Sequence, residues 1–162
     1  MSYNISSLVV NNKKFKAVIT GNGPLVLLVH GWPETWVSWK KQINFISKLG
    51  YKVCAFNTRG YGESFCPDEI KDYSLKYFME DILDIISYFK KDKAILIGHD
   101  WGAPICWTTA AYYKEKVSAI IGLSVPYTRR GKISSTKLWK NLYKKIFFYQ
   151  NYFQKIGIPE KE

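Results

Sequence analysis

Asp100 stands midway in Gly98-His99-Asp100-Trp101-Gly102, with a glycine two residues to either side. A carboxylate at neutral pH needs no deprotonation before it attacks a carbon electrophile, and the attack leaves an ester. Four apolar residues, Ala94-Ile95-Leu96-Ile97, lead into the motif, and a second apolar run, Ile105 to Ala111, follows it. The short run reads as a buried strand and the longer one as a buried helix. A strand that passes straight into a helix turns sharply, and flanking glycines relieve the crowding because they lack a Cβ. The central side chain is then presented at the carboxyl edge of a sheet, beside a helix N-terminus that favours an anion. That is the geometry of a nucleophile elbow, with a carboxylate where serine is more familiar. The plainer alternative is a helix N-cap, a common post for aspartate.

A second stretch, His30-Gly31-Trp32-Pro33-Glu34-Thr35-Trp36, closes the apolar run Leu25–Val29. Gly31 and Pro33 demand a special turn, and Pro33 permits a cis peptide. A loop at the carboxyl end of a strand can aim backbone N–H groups into the crevice where open α/β sheets bind ligands. We read His30 as stabilising this turn rather than as catalytic. Asn57 to Ser64 is also glycine-rich. Its Gly60-Tyr61-Gly62 spacing is too short for a dinucleotide fingerprint and no helix opens on it, so no cofactor is expected. Two histidines, and three cysteines without paired spacing, argue against a metal.

The elements that must hold these stretches follow from periodicity. Residues 6–10 and 14–20 read as strands joined by Asn11-Asn12-Lys13, and Leu25–Val29 as a strand buried on both faces. Trp36, Trp39, Ile43, Ile46 and Leu49 recur at helical spacing, with Gly50 as the stop. A strand over Val53 to Phe56 comes next. Ser74 is placed to cap a helix whose stripe is Leu75, Phe78, Met79, Ile82, Ile86 and Phe89. After the strand and elbow at 94–102, Pro104 falls in the first turn of a helix, and Val117 to Leu123 forms a further strand. Alternating strands and helices predict right-handed crossovers and a mostly parallel sheet. Beyond Pro126 the pattern becomes basic and aromatic, so we divide the chain into 1–127 and 128–162.

With 162 residues, 47% of them hydrophobic, the chain is about one domain long and can bury a core. It has no signal-like N-terminus, and its longest apolar run in that region, Leu25–Val29, is too short to span a bilayer. Unpaired cysteines suit a reducing compartment, and we read the chain as cytoplasmic. The formal charge is +11, and residues 128–162 hold nine Lys/Arg against two Glu. Such a tail could contact nucleic acid or an anionic surface, but without a nucleic-acid motif it reads as a solvated helix face.

Taken together, His30-Gly31-Trp32-Pro33, Arg59-Gly60-Tyr61-Gly62-Glu63-Ser64 and Gly98-His99-Asp100-Trp101-Gly102 resemble the α/β-hydrolase superfamily, and within it the soluble epoxide hydrolases. The likeness covers roughly residues 14–127. Phe148-Tyr149-Gln150-Asn151-Tyr152-Phe153-Gln154 is similar to the segment that opens their helical cap. The resemblance implies an α/β-hydrolase fold, truncated before its last strands, with 128–162 as the start of the cap. It implies Asp100 as nucleophile, Tyr149 as hydrogen-bond donor to the epoxide oxygen, and the backbone N–H groups of Trp32 and Trp101 as an oxyanion hole. Gly98, Gly102, His30, Gly31 and Pro33 would shape the elbow and turn. A small-molecule epoxide is the implied substrate, with no cofactor or metal, no nucleic acid and no membrane span.

The family continues through a cap, two more strands, a charge-relay acid and a base histidine, whereas this sequence stops at Glu162. His30 and His99 both sit inside motifs with other roles, and the His99 side chain is expected to point away from Asp100's face. Two readings stay open: a fragment of an epoxide hydrolase, or the product of a split or truncated gene partnered by a separately encoded C-terminal half. The last strand is then expected to be an open edge. The alternatives are a haloalkane dehalogenase relative, which uses the same aspartate, and a non-catalytic interaction module. Smaller departures from the family pattern are Asn57, where an acid is usual, and Ser124, where Asn is usual.

Overall fold

A computed structural model of the chain describes residues 4–127. The expected cap segment over 128–162, with Tyr149, lies outside the described residues. Strands β1 (Ile5–Val10) and β2 (Lys13–Thr20) form a hairpin. Its two turn residues, Asn11 and Asn12, have φ of 49° and 58°, the left-handed pair that matches strand twist and that asparagine tolerates. Strand β3 (Leu25–Val29) is buried at every position because a neighbour lies on each edge and helices cover its faces. Those neighbours are β4 (Lys52–Phe56) and β5 (Ala94–His99), and β6 (Val117–Leu123) lies beyond β5. The order is β1-β2-β4-β3-β5-β6. Pairing is antiparallel for β1/β2 and β2/β4 and parallel for the other three.

Among the described residues three α-helices cover the sheet: α1 (Lys40–Lys48), α2 (Leu75–Tyr88) and α3 (Gly102–Tyr112). The chain leaves β3 toward β4 and then returns across β3 to β5. With one hand for every crossover, this reversal sends α1 to one face and α2 and α3 to the other. The two cores show the result. Leu27, Val29, Phe56 and Leu96 pack with Ile82, Ile86 and Ile105, while Val26, Leu28, Ala55 and Ile97 pack with Trp36, Trp39 and Ile43.

Several details differ from the periodicity reading. Trp36–Trp39 is a 3₁₀ turn, and α1 begins only at Lys40. Over four residues a period of three cannot be told from one of 3.6. Leu49 and Phe45 are exposed, since nothing among the described residues packs on that side of α1. Ser74 occupies the N-cap of α2, but its side chain makes no capping bond. Leu75 is exposed as well, because the first turn of α2 reaches past the core to border a cavity. Strand β6 is the edge of the described sheet, with Ile121 and Leu123 exposed. No described helix is long and apolar enough to cross a membrane.

The α2 stripe also hides a carboxylate. Asp81 is buried and takes both Arg59 Nε and Nη2 at 2.7 Å, and Arg59 is itself buried. Arg59 Nη2 also donates to the Tyr77 carbonyl at 2.9 Å, and Lys13 Nζ reaches Asp81 and Asp84 at 2.6 Å each. This network fastens the hairpin and the loop after β4 onto α2. Removing one partner of a buried pair strands the other charge. Asp81→Ala is therefore expected to lower stability in urea denaturation by about 3–5 kcal/mol. Asp84→Ala, whose partners are the less buried Lys13 and the exposed Asn11 amide, should lower it by about 1 kcal/mol or less.

Candidate active site

The reversal at β3 opens a crevice. The chain leaves β3 and β5 toward helices on opposite faces, so the loops after these adjacent strands diverge at their carboxyl ends. His30–Trp36 follows β3, and Asp100–Trp101 follows β5.

The β5–α3 turn is tight enough to exclude side chains at its flanks. A Cβ on Gly102 would lie 2.1 Å from the Val29 carbonyl oxygen, and one on Gly98 would lie 2.3 Å from the Gly102 oxygen. Asp100 takes φ of 50°, a strained region for a residue with a Cβ. The strain is held from both sides: Asp100 N–H donates to the Leu123 carbonyl at 3.2 Å, and its own carbonyl accepts from Ala103 at 3.0 Å. Asp100 is thus at the crest of the turn rather than simply an N-cap, and Trp101 precedes α3 without a side-chain capping bond.

The loop after β3 meets this crest. The Trp32 N–H donates to Asp100 Oδ1 at 2.9 Å, and the Trp32–Pro33 peptide is cis. Gly31 passes so close that a Cβ there would lie 2.4 Å from both Cβ and Oδ1 of Asp100. The loop curls back as Glu34 N–H donates to the Gly31 carbonyl at 3.0 Å. Beneath it, His30 is buried with both ring nitrogens engaged. Nε2 accepts from the Thr58 N–H at 3.0 Å, so the proton is on Nδ1, which donates to the Gly31 carbonyl at 2.8 Å. Burial lowers the His30 pKa, which favours this neutral form. The structure gives both ring nitrogens of His30 partners within the turn and the loop after β4, while His30 also borders the cavity that Trp32 and Trp101 line.

His99 turns its ring the other way, with Nδ1 3.0 Å from Glu34 Oε2. Glu34 was missed as a site residue by sequence reasoning; its only signal was a position three residues after Gly31, whose N–H it accepts at 3.3 Å. Asn57 was noted only as a departure, yet its buried Oδ1 accepts the Trp36 N–H at 2.9 Å and so anchors the far end of the same loop.

Trp32 and Trp101 are both about half exposed and line a cavity of about 510 Å³ with Tyr61, Tyr73, Phe78 and Ile105. The Tyr61 pKa is raised by burial and by the charge of Asp100. A carboxylate with one oxygen held by a backbone N–H, beside an aromatic cavity, can attack an apolar carbon electrophile. Among the described residues no cluster of three or more His, Cys, Asp or Glu is arranged to hold a metal.

Comparison with known proteins gives a consistent picture. A family model described as alpha/beta hydrolase fold matches residues 24–157. The pig bifunctional epoxide hydrolase 2 is 38% identical over 143 residues, 88% of this chain and 25% of that protein. Epoxide hydrolase B of Mycobacterium tuberculosis is 40% identical over 111 residues, 68% of this chain and 31% of that one. Among solved structures, epoxide hydrolase A from Mycobacterium thermoresistibile superposes with a TM-score of 0.88 at 36% identity, covering 97% of this chain and 50% of the other. The chain therefore spans a quarter to a half of the length of these proteins.

The packing at the elbow sets a graded expectation for stability. Gly102→Ala forces a methyl against backbone and should cost about 3 kcal/mol or more. Gly50, with φ of 84° and nothing within 4 Å of an added Cβ, should lose only about 1–2 kcal/mol on the same change. Urea denaturation of the two variants side by side checks this order.

Proposed function

Since the chain belongs to the alpha/beta hydrolase fold family, we propose that it carries the nucleophile of an epoxide hydrolase, and that this nucleophile is Asp100. The observation that carries the reading is the Trp32 N–H on Asp100 Oδ1 at 2.9 Å, at the crest of a turn whose glycines admit no side chain. The relatives named above supply the substrate class.

The chemistry runs in two steps. An Asp100 oxygen attacks an epoxide carbon, the carbon–oxygen bond of the ring breaks, and the released alkoxide takes a proton. Tyr149, in a cap formed from residues 128–162, is our choice for that donor, together with a second cap tyrosine. Water then adds to the ester carbonyl, and the tetrahedral oxyanion sits between the N–H groups of Trp32 and Trp101. A single such donor is worth about 2.7–4 kcal/mol of barrier in other hydrolases. Collapse of the intermediate frees the diol and restores the carboxylate. The free thiols Cys54, Cys66 and Cys106 suit a cytoplasmic setting.

The first step needs no base, because a carboxylate is already an anion. The second does, since general-base help is worth roughly 10²–10⁴-fold. His30 has both nitrogens engaged in the turn, and His99 is engaged with Glu34. The base and its acid partner belong, in this reading, to the part of the fold that the longer relatives have beyond the matched residues.

The two half-reactions should therefore separate. Incubated with styrene oxide, the 162-residue chain is expected to gain one stable adduct on Asp100 by intact-protein mass spectrometry, without turnover to diol. Asp100→Asn should remove the adduct. Adding a second half that bears the acid and histidine should restore turnover, whereas steady diol release by the 162 residues alone would overturn the division of labour.

A further inference from the structure

Among the hydrogen-bonded links between the loop after β3 and the turn after β5, one involves Asp100 itself and another does not. The first is the Trp32 N–H on Asp100 Oδ1 at 2.9 Å. The second runs through Glu34, whose Oε2 accepts the Gly31 N–H at 3.3 Å and meets His99 Nδ1 at 3.0 Å. Gly31 directly precedes Trp32, and His99 directly precedes Asp100. One carboxylate oxygen thus ties the residue before the donor to the residue before the acceptor. The bonded residues are 65 and 68 positions apart, so chain connectivity enforces neither contact.

Burial works to raise the Glu34 pKa, but the bonds from His99 and Gly31 prevail and hold it below the usual carboxylate range. Glu34 and His99 lie in a cleft of about 180 Å³ that shares no residue with the cavity of Trp32 and Trp101. Their side chains act on the site from behind, without facing a substrate in that cavity.

We infer that Glu34 and His99 are a positioning pair, a clamp that keeps the loop on the turn so that the Trp32 N–H stays on Asp100 Oδ1. The catalytic use of the clamp rests on Asp100 being the nucleophile of the proposed reaction, whereas its hold on the Trp32 amide stands without that reading. Misplacing a reacting group by about 1 Å can slow a reaction about 100-fold.

Amide hydrogen exchange on the full 162-residue chain tests the hold directly. Glu34→Ala and His99→Ala should each speed exchange at Trp32 by about tenfold or more, while Leu27 and Leu96 in the central strands keep their protection. The double variant should be no faster than either single one, because both remove the same link. His99→Asn keeps a side-chain donor near the Nδ1 position and should recover most of the protection. Ester formation with styrene oxide should slow by about 10- to 100-fold in the alanine variants, with little change in the half-saturating concentration. Unchanged exchange at Trp32, additive effects in the double variant, or protection lost evenly across the core would each overturn the clamp. Faster Trp32 exchange in the variants, with no ester in the parent chain, would uphold the clamp and sink the nucleophile reading.

Discussion

The approach of the β5–α3 turn to the end of β3 is the constraint on which the site depends. The Gly102 backbone rests against the Val29 carbonyl, and Gly31 rests against Asp100, with no room for a methyl at either contact. Only this closeness lets a backbone N–H from one strand end reach a side chain on the other. The strain of a positive φ at Asp100 is sustained because the surrounding strands and helix leave the turn no alternative path. Packing on both faces of β3 is what fixes that path, so the buried strand and the loop geometry at its end are one design.

Electrostatics divides the labour among the titratable groups near the crest. His30 is kept neutral by burial, which outweighs the opposing pull of its bond to the Gly31 carbonyl, and it shapes the turn without carrying charge. Glu34 is kept ionised by its donors and holds two segments together. Away from the crest, the Arg59–Asp81 pair fixes the loop that carries Tyr61, a wall of the main cavity. Each charge that leaves water here finds a partner within hydrogen-bonding distance, which is the condition for burying it at all.

Much of this was legible in the sequence, for reasons that differ by element. Leu25–Val29 has five apolar residues in a row and fits only a strand covered on both faces. The glycine spacing around Asp100 signals a crowded turn, because only a missing Cβ explains glycine at both flanks. Asn11 and Asn12 announce a hairpin through their tolerance of left-handed backbone. The contacts of Glu34 with His99 and of Arg59 with Asp81 were not legible, since they join residues 65 and 22 positions apart and no local rule couples them. The 3₁₀ turn at Trp36–Trp39 was hidden for another reason: four residues are too few to tell its period from that of an α-helix.

A carboxylate in water has two interchangeable oxygens. At Asp100 the Trp32 N–H ends that symmetry by marking Oδ1 and leaving Oδ2 unmarked. In an ester formed as proposed, Oδ1 remains the carbonyl oxygen and Oδ2 becomes the bridge to the substrate. Hydrolysis at the carbonyl carbon then releases the bridging oxygen with the diol and installs an oxygen from water in its place. The protein would renew one atom of its own side chain in every cycle, always at the same position, and the first diol formed would carry an oxygen that had belonged to the enzyme.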